Sequence, residues 1–194
     1  AGNINPKDNS PVWLDLSYGK ADLGSVTNLK GLIKYSKVFA GTGGKMELET
    51  KYSGLDVKKM NDLQLESKYD GIRIGEISTI SANSKYTNYT VERLTRQLIL
   101  DSEYGSVRID EVTPDFSAIN ITNGYGGITI GLNGLDYRLD ADCEYCDVKY
   151  PAERFKGNRI KENQNFKVEG IIGSAVSGKN VVIRSRYGGI NLIK

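Results

Sequence analysis

Four lysines, Lys34, Lys51, Lys68 and Lys85, recur at one constant interval, and Arg186 holds the same place in a later repeat of the pattern. If the repeats stack, these cations form a row, and a row of fixed positive charge attracts a linear polymer carrying regularly spaced negative charge. Two residues before the lysine position runs an acidic set, Glu49 and Glu66, with Asp15, Asp101 and Asp142 at the equivalent place in other repeats. Stacking puts Glu66 and Asp101 two repeats apart, about 9.6 Å between backbones, which is near the separation of a carboxylate pair that cleaves a glycosidic bond with inversion. Any acidic row on a stacked repeat produces that distance, so a solvated face is the ordinary meaning of these carboxylates. The lysines have an ordinary meaning too, as half of a mixed-charge surface neutralised by Glu49 and Glu66.

Composition narrows the chemistry. The chain has no histidine, which removes Ser-His-Asp and Cys-His catalysis and the commonest metal ligand. Cys143 and Cys146 are the only cysteines; with no second pair to complete four ligands, neither zinc nor any cofactor is implied. Cys143 is either a small buried residue or half of a local disulfide with Cys146, as an oxidising compartment permits. A net charge of +2 offers no bulk argument for nucleic acid. No segment of the chain offers the ~20 consecutive predominantly apolar residues of a membrane-spanning helix; the longest uncharged stretch, Phe116 to Leu135, is broken up by five glycines and by Asn120, Asn123 and Asn133.

The elements that must position these residues are legible from a tyrosine ruler. Tyr18, Tyr35, Tyr52, Tyr69 and Tyr86 keep the same interval as the lysines, followed by Tyr104, Tyr125, Tyr145 and, after one atypical unit with Ile172 in the tyrosine's place, Tyr187. A fixed period of roughly 20 residues marks a solenoid, in which each unit buries its apolar face against its neighbours. Before the tyrosine, apolar or small residues alternate with polar ones, as in Leu63, Leu65, Ser67 and Leu98, Leu100, Ser102. After it, apolar residues resume three and five positions on (Ile72 and Ile74, Val107 and Ile109), with another at eight (Met60, Ile77, Leu94). The inward set shifts parity across a glycine such as Gly54, Gly71 or Gly105, which predicts a corner at the glycine. An antiparallel meander would need about twenty strands and would keep parity across the turn. The expected fold is therefore an all-β, single-stranded parallel β-solenoid of about ten coils of roughly 17–21 residues, right-handed by the general chirality of such connections.

Residues 1–11 form a flexible lead-in and residues 12–194 a single domain. Pro151 to Asn165, rich in charge and amide between Tyr150 and Phe166, reads as a loop projecting at 151–165. The final coil leaves an open sheet edge that a partner would cap.

The cadence of Leu63 to Ile74, Leu98 to Ile109 and Val181 to Leu192 resembles the adhesin-like β-solenoid domains of unknown function from bacterial cell-envelope proteins. The resemblance covers residues 12–193 and carries no catalytic motif. It implies a secreted or envelope-attached, non-enzymatic bacterial module for adhesion or glycan binding. Its partners would be an anionic polysaccharide along Lys34, Lys51, Lys68 and Lys85, or another envelope protein at the open C-terminal coil. Two alternatives stay open: a polysaccharide lyase or hydrolase using the surface carboxylates, and a purely structural stalk.

Overall fold

The computed structural model describes residues 11–174 and 178–192; the expected lead-in falls outside them except for Pro11. The strands are β1 (Val12–Ser17), β2 (Lys20–Lys34), β3 (Lys37–Lys51), β4 (Gly54–Lys68), β5 (Gly71–Lys85), β6 (Asn88–Glu103), β7 (Val107–Val112), β8 (Ala118–Asn123), β9 (Ile128–Ile130), β10 (Tyr137–Glu144), β11 (Val148–Lys149), β12 (Phe155–Glu162), β13 (Asn165–Ile172), β14 (Asn180–Arg186) and β15 (Ile190–Asn191). Among the described residues no helix is long and apolar enough to cross a membrane. From β1 to β8 each strand pairs in parallel with the next coil, Leu48 opposite Leu65 and Leu65 opposite Ala82, so like positions stack. The chain is a β-solenoid, as its periodicity predicts.

Burial follows the expected spacing. In β4 the inward residues are Leu55, Val57, Met60, Leu63, Leu65 and Ser67. Intervals of two are flat strand, and the two intervals of three, around Met60, let the chain bend without turning its apolar side outward. The columns form one continuous core along the rod.

The sharp corner lies on the tyrosine, not on the glycine. Tyr18, Tyr35, Tyr52, Tyr69, Tyr86, Tyr104, Tyr145 and Tyr187 all have φ between 51° and 60°, a left-handed conformation that costs a bulky residue roughly 1–2 kcal/mol. Gly54, Gly71 and Gly105 are absent from the positive-φ set; only at Tyr125 does a following glycine, Gly126, adopt φ 130°. The left-handed residue flips the pleat, so the residue two before and the residue one after the tyrosine both point inward. They then bond across the corner: Ser67 Oγ donates to Asp70 Oδ2 (2.6 Å) and Ser185 Oγ to the Gly188 carbonyl (2.6 Å). In the Tyr145 coil the same two positions are Cys143 and Cys146, and the bond is a disulfide. The cysteine pair is thus a covalent version of a contact other coils make by hydrogen bonding.

Corners also lock to one another. The Gly19 and Ser36 amides donate to Oγ of Ser36 and Ser53, one coil on, and the Ser53 amide donates to Asp70 Oδ1. Asp70 is buried, but its carboxylate also accepts from Thr50 Oγ1 and the Lys68 amide, which is how a charge survives in a core. Beyond Thr87 the device changes: a Cβ on Gly105 would overlap the Thr87 carbonyl oxygen, so the backbones close directly and only glycine fits.

The C-terminal third departs from chain order. β14, the last long strand in sequence, is inserted between β8 and β10, parallel to both, and β15 lies between β9 and β11. The ring order is accordingly Tyr104, Tyr125, Tyr187, Tyr145. The expected open C-terminal coil is therefore interior and offers no end for a partner. Ile172 does not replace a tyrosine: it ends β13, which runs antiparallel to β10 with Ile172 opposite Tyr137. The loop expected at 151–165 is also corrected. It holds a short 3-10 turn, Ala152–Arg154, and β12, which pairs antiparallel with β13 through the two-residue turn Asn163–Gln164, with Asn163 left-handed at φ 51°. This hairpin closes the end of the rod, and Lys156, Arg159 and Lys161 on the outermost strand discourage further pairing.

Candidate functional site

The strand that precedes each tyrosine presents four parallel columns to solvent, and the register fixes what each contains. The tyrosine column is a stack of nine rings with centroids 4.6–5.0 Å apart and planes within 12° of parallel. Each interior ring spends both faces on its neighbours, an offset for the left-handed backbone of roughly 0.5–1.5 kcal/mol per pair. Only the ring edges and hydroxyls face outward, so the interior tyrosines are a lock on the corner rather than a stacking platform. The outer face of Tyr18, at the end of the stack, is open, and that residue is 80% exposed.

One residue before the tyrosines lies the lysine column. Lys34, Lys51, Lys68 and Lys85 are register partners across β2, β3, β4 and β5, as their spacing predicts. Lys85 is neutralised by Glu103 (2.8 Å), whose hydrogen bond raises the lysine pKa, and Arg186 pairs with Glu144 (3.3 Å). Lys34, Lys51 and Lys68 have no ion-pair partner among the described residues; Lys51 Nζ instead lies 5.5 Å from the centre of the Tyr52 ring. Glu49 and Glu66 do not close onto these lysines, although they line the same depression.

On two other columns, adjacent coils alternate in sign. Seven residues after the tyrosine, Lys59, Glu76, Arg93 and Glu111 form one chain of pairs at 2.7, 3.9 and 2.9 Å. Five before it, Lys30 meets Glu47 at 2.5 Å, with Lys45 on the other oxygen at 2.6 Å. Hydrogen bonds from Lys30 and Lys45 hold the Glu47 carboxyl down at about 2. Its contribution to stability is thus fully present above pH about 4.5 and is lost as pH falls towards 2. Carboxyl NMR during an acid titration should show Glu47 protonating last, near pH 2, and shifting upward in high salt; a midpoint of 4 or above would mean the triad does not form.

The acidic column is stacked as expected, with Glu66 opposite Asn83 and Asn83 opposite Asp101. The two carboxylates do not share a cleft: Glu66 lines one depression, while Asp101 lines another with Asp142, Glu144 and Arg184. The first depression, about 640 Å³, runs along the rod between the columns five and three residues before the tyrosine and ends at Trp13. In the sequence Trp13 reads only as the opening of the first coil. The signal that could have found it is its place five residues before Tyr18, in line with Lys30, Glu47 and Gln64.

Comparison of the chain with family models, curated proteins and solved structures gives no match.

Proposed function

We propose that the protein is a non-enzymatic surface module that binds a linear anionic polysaccharide along Lys34, Lys51 and Lys68. The observation that carries this reading is the contrast between columns. Successive lysines of the row stand about 4.8 Å apart at their roots, a spacing at which like charges repel. The protein relieves that repulsion with alternating carboxylates on the columns of Lys59 and Lys30 and at Lys85, but leaves it standing at these three positions. A polymer carrying one negative group per repeat would relieve it. The disulfide supports a secreted or cell-envelope location, where such a bond persists. The locked corners and continuous ladders also suit a rigid stalk, a role compatible with binding along its side.

The test uses polygalacturonate and chondroitin sulfate with the full chain at low salt. The parent should bind, and affinity should fall steeply between about 50 and 300 mM salt. Lys34→Gln, Lys51→Gln and Lys68→Gln together remove three exposed contacts of up to ~1 kcal/mol each, so binding should weaken by on the order of a hundredfold with little change in melting temperature. Equal binding by parent and triple variant would reduce the row to ordinary surface, and shortening of the polymer during incubation would favour an enzyme.

A further inference from the structure

The depression that ends at Trp13 is a second site beside the lysine row, from which Glu49 and Glu66 divide it, and the geometry points to a neutral glycan chain as its ligand, with the indole of Trp13 holding the terminal sugar. Trp13 is the single tryptophan of the chain and is 66% exposed. It lies outward on β1, the end strand, and has no neighbouring ring among the described aromatic pairs, so a face remains free, unlike those of the interior tyrosines. A large planar side chain left in water at the head of a groove is a platform for the apolar face of a pyranose.

The groove beyond it has the chemistry of hydroxyl recognition. Gln64, Ser81 and Asn83 line it, and none of their side chains has a hydrogen-bond partner among the described residues. Glu49 and Glu66, which also border the lysine depression, form one wall as unpaired acceptors, which favours hydroxyl donors. The one carboxylate opposite them, Glu47, is already held by Lys30 and Lys45. Net positive charge is therefore absent where the lysine row has it, and the two sites select different polymers.

Length follows from register. From Trp13 to Ser81 the groove crosses four inter-coil steps, about 19 Å at the inter-strand spacing. A pyranose linked across its ring advances by about one such step, so the groove takes about four sugars. At the far end Ile99, opposite Ser81 across the strand pair and 44% exposed, replaces the polar column.

The experiment titrates the full-length chain with gluco-, manno- and xylo-oligosaccharides of one to six units in about 0.5 M NaCl, where polyanion binding to the lysines is suppressed. The readouts are tryptophan fluorescence and calorimetry. The expected result is a saturable blue shift with one series, and affinity that rises with length to about four units and then levels. By calorimetry, Trp13→Ala and the double variant Gln64→Ala with Asn83→Ala should each lose at least tenfold, while the triple lysine-to-glutamine variant binds as the parent does. The proposal is overturned if no series gives saturation, if affinity is the same for one unit as for four, or if the double variant binds unchanged. Loss of binding in the lysine variant would instead merge the two sites into one, and overturn their independence.

Discussion

Leu65→Asp and Ile72→Asp are each expected to abolish the cooperative fold. Leu65 lies between Leu48 and Ala82, and Ile72 between Leu55 and Tyr89, in apolar columns with no basic partner; their exposures are 3% and 2%. An unpaired carboxylate there costs about 3–5 kcal/mol beyond the lost apolar burial of about 2 kcal/mol, against a total stability of order 5–15 kcal/mol for a domain of this kind. Because each coil is a surface for the next, the defect is felt on both sides. Circular dichroism and thermal melts of the purified variants provide the measurement. Asn61→Asp, on an outward position of the same β4 strand, is the control and should stay within about 0.5 kcal/mol of the parent. A Leu65→Asp protein that melts like the parent would mean these columns do not pack as a core.

Removal of residues 178–194 is expected to release far more than a terminal coil. β14 is the only strand joining β8 to β10 among the described residues, so its loss exposes two apolar parallel edges and cuts β10, β13 and β12 away from the rod. Hydrogen exchange read by mass spectrometry should show protection collapsing throughout 137–172, while β2 to β6 keep theirs. If 137–172 stays protected after truncation, the interior placement of β14 is wrong, and the stack follows chain order.

The constant period, the alternation before each tyrosine and the parity change after it determined a parallel solenoid. They also fixed which columns face inward, because burial of one face imposes that pattern whatever the order of coils. The lysine row was legible for the same reason: identical offsets must stack. Order was not legible, since the Tyr145 and Tyr187 units carry the same motif and fit the Tyr125 unit equally well by pattern; only packing of the whole set placed Val181 beside both Ile119 and Leu139. The β12 strand was hidden because it lies on the outside of a hairpin, where exposure on nearly every residue erases the two-residue period. Which lysines are free was likewise a tertiary matter, because Glu103 reaches Lys85 while Glu49 and Glu66, between the two depressions, pair with none of the other three, and side-chain direction on a solvated face leaves no trace in spacing. The groove itself depends on what stands at the end of the rod, and sequence position alone did not reveal that Trp13 does.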